Sequence, residues 1–192
     1  MKSPDAIHVA VAAIVNSDDE VFIALRPDHV HQGGLWEFPG GKVEAHEDVS
    51  VALVRELKEE VGIDVRTSKP LIQIHHDYGD KRVWLDVHLI SEFDGKPHGR
   101  ESQEVRWVAK QQLRTYTFPQ ANYPIISALL LPDRYLITPE PGADLDQFLQ
   151  RLESCLRGGI TMLQLRAKHL SSSEYLALAP VSYTHLTLPT MQ

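Results

Sequence analysis

Glu56, Glu59 and Glu60 stand at i, i+3 and i+4 inside residues 47–61, a stretch free of Pro and Gly in which Leu53, Leu57 and Val61 recur every four residues beside Val54. That periodicity predicts an amphipathic helix, with the three carboxylates projecting from one face. Like charges so placed repel, and a hard divalent cation that takes oxygen ligands offsets them: Mg²⁺ first, with Mn²⁺ as a substitute. The alternative is a solvated acidic face paired with Arg55 and Lys58. Gly41, Glu47, Arg55 and Gly62 at set distances around the three acids favour the metal site.

Residues 41–63, GKVEAHEDVSVALVRELKEEVGI, resemble the Nudix box, G-x5-E-x7-R-E-U-x-E-E-x-G-U with U a bulky aliphatic residue. Every specified position is met, by Gly41, Glu47, Arg55, Glu56, Leu57, Glu59, Glu60, Gly62 and Ile63. Nudix enzymes cleave a diphosphate linkage joined to another group, using metal, water and a base. The resemblance implies that Glu56, Glu59 and Glu60 ligate Mg²⁺ with the backbone carbonyl of Gly40, that Arg55 orients Glu56, and that Glu47 supports the cluster. It leaves two bases open, Glu56 first and Glu101 in the segment GRESQE second.

Residues outside the box bear on the substrate. LWEFPGGK, residues 35–42, resembles MutT-type Nudix hydrolases and also the recognition domain of MutY-type adenine glycosylases. By the same resemblance Arg26 holds the nucleotide, Asp80 and Lys81 lie in a second nucleotide-contacting turn, and FPQANYPII, residues 118–126, places Asn122 at the base, with Phe38 flanking it. Oxidation of guanine turns N7 into an N–H donor, so an amide oxygen aimed there pairs with the lesion and faces a lone pair in the normal base; buried polar groups left unpaired discriminate by about 10⁴ to 10⁵. The alternative for Asn122 is a helix cap, with Pro124 in the first turn. The expected activity is Mg²⁺-dependent hydrolysis of 8-oxo-dGTP to the monophosphate and pyrophosphate, a sanitation of the nucleotide pool that prevents mutation. Other readings are hydrolysis of another dNTP or a nucleotide sugar, a thiamine-related sensor, or a lesion-recognition module; the intact box argues against the last two.

Composition sets outer bounds. A net charge of −7 provides no basic field for nucleic acid, so a small anionic nucleotide is the expected partner. Separately, the protein is expected to be monomeric. Cys155 is the single cysteine, which excludes an intramolecular disulfide and fits a reducing cytoplasm. Residues 6–15 could pass for a signal-peptide core, but His8, the preceding Asp5 and the following NSDDE favour a buried strand, and no apolar run suggests a membrane span. Trp36, Trp84 and Trp107 read as core or pocket wall, without interleaved basic residues, and adjacent His75 and His76 face opposite ways on a strand.

The elements that must position these groups follow from the pattern. Residues 7–15 and 21–25 read as a hairpin around NSDDE, 27–41 as a loop, 71–76 and 83–90 as strands around YGDK, 105–108 as a short strand and 121–131 as a helix. Strands interleaved with two helices predict an α/β fold with a mixed sheet between helical layers, and the Nudix resemblance over about residues 7–131 implies an α/β/α sandwich in a domain of residues 1–131. Residues 132–179 have β-α-β-α order and resemble the opening of thiamine-phosphate synthase, a TIM barrel, with Gln164, Arg166 and Lys168 in the phosphate-holding piece; two β/α units cannot close a barrel. Residues 180–192 form an artefactual tail, since PVSYTHLTLPT resembles a sequencing adapter translated in frame, and the natural protein is expected to continue beyond it.

Overall fold

A computed structural model describes residues 6–99, 103–142 and 144–184, with 179–184 described by backbone alone. Two compact units divide the chain, Met1–Leu131 and Pro132–Gln192.

Strand β1 (Ala6–Ile14) organises the first unit by sending alternate side chains into two separate cores. Val11 and Ala13 enter one; Ala10, Ala12 and Ile14 enter the other. β1 is flanked by β4 (Gly40–Lys42), antiparallel to it, and by β6 (Arg82–Asp94), parallel to it; β6 pairs antiparallel with β5 (Asp64–Asp77), completing a mixed four-stranded sheet. A second, antiparallel sheet runs β3 (Trp36–Glu37), β2 (Glu20–Leu25), β7 (Val105–Ala109).

Helix α1 (Val49–Glu60) starts at Asp48, whose side chain accepts from the Ser50 amide, and lays Ala52, Leu53 and Leu57 on Ala10, Ala12 and Ile14. Burying each leucine contributes about 2 kcal/mol. Small residues on β1 let the helix approach closely. The opposite core is closed by α2 (Tyr123–Leu129), through Ile125, Ile126 and Leu129. The unit is an α/β/α sandwich with a mixed sheet.

In the second unit β8 (Tyr135–Ile137) and β9 (Met162–Gln164) pair in parallel, α3 (Leu145–Arg157) lies between them in sequence, and α4 (Ser172–Thr184) follows. At its start the Ser171 amide donates to Glu174 Oε2 at 2.8 Å while the Glu174 amide donates to Ser171 Oγ at 3.4 Å, a reciprocal cap. No closed barrel is formed by the described residues. Among them, no helix is long and apolar enough to cross a membrane.

Several expectations need correction. The hairpin across NSDDE reduces to one bridge, Val15↔Val21, because β1 and β2 leave the turn for different sheets. The loop 27–41 contains β3 and the start of β4. β5 and β6 run well past 71–76 and 83–90, joined around Tyr78–Lys81. The helix 121–131 is a 3-10 turn, Gln120–Asn122, followed by the shorter α2. Val54 is 46% exposed, so the apolar stripe of α1 passes through Ala52 instead. Arg106 lies over the Trp36 ring, 5.0 Å from its centre. Trp84 stacks between His8 and His75.

Candidate active site

The segment from β4 to α1 is held against the helix by Arg55. Its Nε donates to Glu47 Oε1 and its Nη2 to Glu47 Oε2, both at 3.0 Å, and Nη2 also donates to the Lys42 carbonyl at 3.1 Å. Nη1 donates to Glu56 Oε1 at 2.7 Å and reaches Glu59 Oε2 at 3.5 Å. One guanidinium therefore gathers three of the acids. The Arg55 side chain holds the Glu47 carboxyl below the usual carboxylate range, helped by the Glu44 amide. The carboxylates in turn raise Arg55 further. Lys58 pairs with Asp64 at 2.7 Å.

Backbone geometry explains the two glycines. Gly40 has φ +147°, and a Cβ there would strike the Ala10 carbonyl; a Cβ on Gly41 would strike the Glu56 carboxylate. The Gly40 amide donates to Glu60 Oε2 at 3.1 Å. Glu56 and Glu60 are thus drawn onto the β4 backbone, while Glu59 is 63% exposed beside them. Among the described residues, no three His, Cys, Asp or Glu side chains converge into a finished cation cage. The donor chemistry nevertheless fits Mg²⁺: carboxylate and carbonyl oxygens only, on a surface that glycine keeps open.

A cavity of about 240 Å³ adjoins this surface, sharing Gly40, Gly41 and Lys42 as wall. Arg26, Phe38, Lys81 and Asn122 also line it. Phe38 is buried and stacks on Phe118 with ring centres 5.5 Å apart. The Asn122 side chain makes no capping hydrogen bond to α2, and Pro124 stands in that helix's first turn. Asp80 does not line the cavity; its carboxylate lies 3.4 Å from His31 Nδ1. Glu101 falls outside the described residues. In the second unit, Tyr135 donates to the Gln164 side chain at 2.6 Å, while Arg166 and Lys168 approach Glu140, whose carboxylate accepts from the Lys168 amide at 2.9 Å.

Glu37, His31 and Tyr78 line the cavity and were not foreseen. Glu37 pairs with Arg26, which also donates from Nε to the His31 carbonyl at 3.1 Å. His31 packs edge-on against Tyr78, and burial raises the Tyr78 phenol. The signal for Glu37 was an acid set between two aromatics, Trp36 and Phe38, where an unpaired charge is costly. His31 and Tyr78 carried no such signal. Beneath α1, buried Asp86 accepts from Gln73 at 2.9 Å and lies near His8 and His88, a packing cluster that sequence spacing did not reveal.

Comparison with known proteins matches residues 10–128 to the NUDIX domain family. The 8-oxo-dGTP diphosphatase of Escherichia coli (strain K12) is 36% identical over 123 residues, covering 64% of this chain and 95% of that protein. The CTP pyrophosphohydrolase of the same organism is 33% identical over 120 residues, covering 62% and 89%. A solved MutT structure, from work on Aliivibrio salmonicida and Vibrio cholerae, superposes with a TM-score of 0.58 at 46% identity, covering 65% of this chain and 97% of that one.

Proposed function

The chain belongs to the Nudix hydrolase family, and from that premise we propose that it is a Mg²⁺-dependent 8-oxo-dGTP diphosphatase that removes oxidised purine triphosphates from the nucleotide pool. The observation that carries the reading is the shared wall: the cavity containing Asn122 and Phe38 opens onto the Gly40–Gly41 backbone where Glu56 and Glu60 gather. A base held in the first would deliver its phosphates to the second.

Gly40, Glu56, Glu59 and Glu60 would hold the cation, which when bound neutralises phosphate charge and lowers the pKa of water. The chain's own residues do the rest. Arg55 orients Glu56, Glu47 fixes Arg55, and Glu56 takes the proton from water as its oxygen bonds to the β-phosphorus; Glu101 is the second choice for that base. The bond from that phosphorus to the α–β bridging oxygen breaks, leaving 8-oxo-dGMP and pyrophosphate. Arg26 and Lys81 bind the nucleotide, with Asp80 positioning the turn through His31. Phe38 flanks the base, and the Asn122 amide oxygen accepts from its N7–H.

The similarity to a CTP pyrophosphohydrolase supports a second reading, hydrolysis of another nucleotide at the same centre. Product mass balance over a panel of nucleotides decides: 8-oxo-dGTP should be consumed far faster than dGTP or CTP, giving monophosphate and pyrophosphate. Equal rates on 8-oxo-dGTP and dGTP would remove the first reading.

The finer assignments complete the proposal. The hydrolase is residues 1–131, working as a cytoplasmic monomer without direct nucleic-acid contact. Residues 132–179 are read as a thiamine-phosphate-synthase-like β-α-β-α fragment of a TIM barrel, to which we assign no synthase activity. Residues 180–192, the adapter-like tail, take no part in the chemistry.

A further inference from the structure

Asn122 closes a 3-10 turn of only three residues, Gln120–Asn122. Its own amide donates to the Pro119 carbonyl at 2.9 Å, and the Tyr123 amide donates to the Gln120 carbonyl. The first amides of a helical turn find no partner inside it, and Pro119 at the head of this one offers no side-chain cap. One of those amides belongs to Ala121, which is only 1% exposed, so leaving it unpaired would be costly.

The partner comes from 43 residues away: the Ala121 amide donates to Tyr78 Oη at 3.3 Å. Tyr78 begins the turn between β5 and β6, where its amide donates to the Lys81 carbonyl at 2.9 Å. Its ring is set edge-on by His31 and His76, with centres 5.4 and 4.4 Å away. Burial raises the phenol, so the group stays a neutral hydroxyl whose oxygen accepts from the amide. One hydroxyl thus joins the turn that bears Asn122 to the turn that bears Lys81.

We propose that Tyr78 is a positioning residue for substrate selection: its hydroxyl caps the 3-10 turn and thereby fixes the direction in which the Asn122 amide points. This rests on the reading of Asn122 as the group that meets the N7–H of the oxidised base, and Tyr78 need not touch the nucleotide. Direction matters because an asparagine carries an acceptor and a donor on one carbon. Its oxygen suits the N7–H of the lesion, whereas its NH₂ suits the N7 lone pair of normal guanine. A loosened turn lets the amide present either end, so selectivity is lost before binding is.

The test is a double-mutant cycle read in selectivity. kcat and KM are measured on 8-oxo-dGTP and dGTP for wild type, Tyr78→Phe, Asn122→Ala and the double variant; Tyr78→Phe deletes one oxygen and keeps the ring. It should cut the ratio of kcat/KM for 8-oxo-dGTP to that for dGTP by about three- to tenfold, mainly through a higher KM for 8-oxo-dGTP. In the Asn122→Ala background the same change should move the ratio by less than about twofold, because the group being positioned is gone. An unchanged ratio in Tyr78→Phe overturns the assignment, as does an equal drop with and without Asn122. Hydrogen exchange of the Ala121 amide in wild type requires no variant to fold: protection supports the cap, and exchange at the rate of an open chain overturns it. Wild type with no preference for 8-oxo-dGTP removes the reading of Asn122 and this one with it, whereas a large wild-type preference untouched by Tyr78→Phe removes the role of Tyr78 alone.

Discussion

Arg55 and Glu47 meet as a two-pronged fork, Nε to Oε1 and Nη2 to Oε2, each 3.0 Å long. The pair ties the segment ahead of α1 to the helix body, and the remaining Arg55 nitrogen is committed to Glu56. Charge-assisted bidentate contacts of this kind fix direction as well as distance, which a lysine could not do.

The fork has a pH signature. The folded-state pKa of Glu47 is depressed, so its stabilisation is present above the ordinary value of 4.5 and is lost as pH falls through the lower folded value. Thermal melting of wild type and Glu47→Gln should therefore differ at pH 7 and converge as pH drops below about 4. A gap in Tm that stays constant from pH 7 to pH 3 would show that the carboxylate's charge is irrelevant.

Removing charge from the cluster should cost catalysis more than folding. Glu56→Gln and Glu59→Gln should each lower kcat by at least about 10², since each deletes a charge that helps stabilise the transition state. Their Tm should stay near wild type, because relieving repulsion on α1 offsets lost contacts. Turnover within threefold of wild type in both, with Mg²⁺ supplied, would dismiss the assignment.

Asn122 gives no capping bond to α2, so its loss should be felt in selectivity. Asn122→Ala should reduce kcat/KM for 8-oxo-dGTP far more than for dGTP while leaving Tm almost unchanged. The reverse pattern, a lower Tm with an intact substrate ratio, would return the residue to a structural role.

Arg26→Ala strands Glu37 in the cavity without its partner. The pair is partly buried, so the expected loss of stability is about 1 to 2 kcal/mol, between the values for exposed and buried pairs, with a raised KM for triphosphates. Adding Glu37→Gln to Arg26→Ala should recover part of the stability without restoring KM. Strictly additive losses in denaturant titrations would mean that the two side chains do not interact.

A chain ending at Leu131 should retain full hydrolase activity, and residues 132–192 alone should make no thiamine phosphate. Limited proteolysis of the whole protein should cut first beyond Pro132 and leave the hydrolase core. Lost activity in the shortened chain would place an essential contribution after that boundary.

Much of the site was legible because α1 carries its own periodicity, cap and charge pattern within one continuous segment. Leu53, Leu57 and Val61 are buried as their spacing required. What failed was non-local. The NSDDE turn has real local bonds, with Asn16 Oδ1 accepting from Asp18 and Glu20, yet pairing partners far along the chain decide which sheet each flanking strand joins. β3 and β4 are too short for an alternation to register. Glu37 was missed for a related reason: its meaning comes from Arg26, across a strand pairing that composition does not announce.

The alternation of β1 also limits how the protein can vary over generations. Ala10 and Ala12 are fully buried under α1, and Ala10 is paired in register with Gly41, beside the Glu56 carboxylate. Enlarging Ala12 to Val would overpack the seat of the helix, typically at about 1 to 3 kcal/mol, and tilt the helix that bears Glu56, Glu59 and Glu60. Inheritance of two extra methyl groups there would resemble damage to the chemistry, although the altered residue never meets a nucleotide. The positions least free to drift therefore include alanines with no reactive group at all.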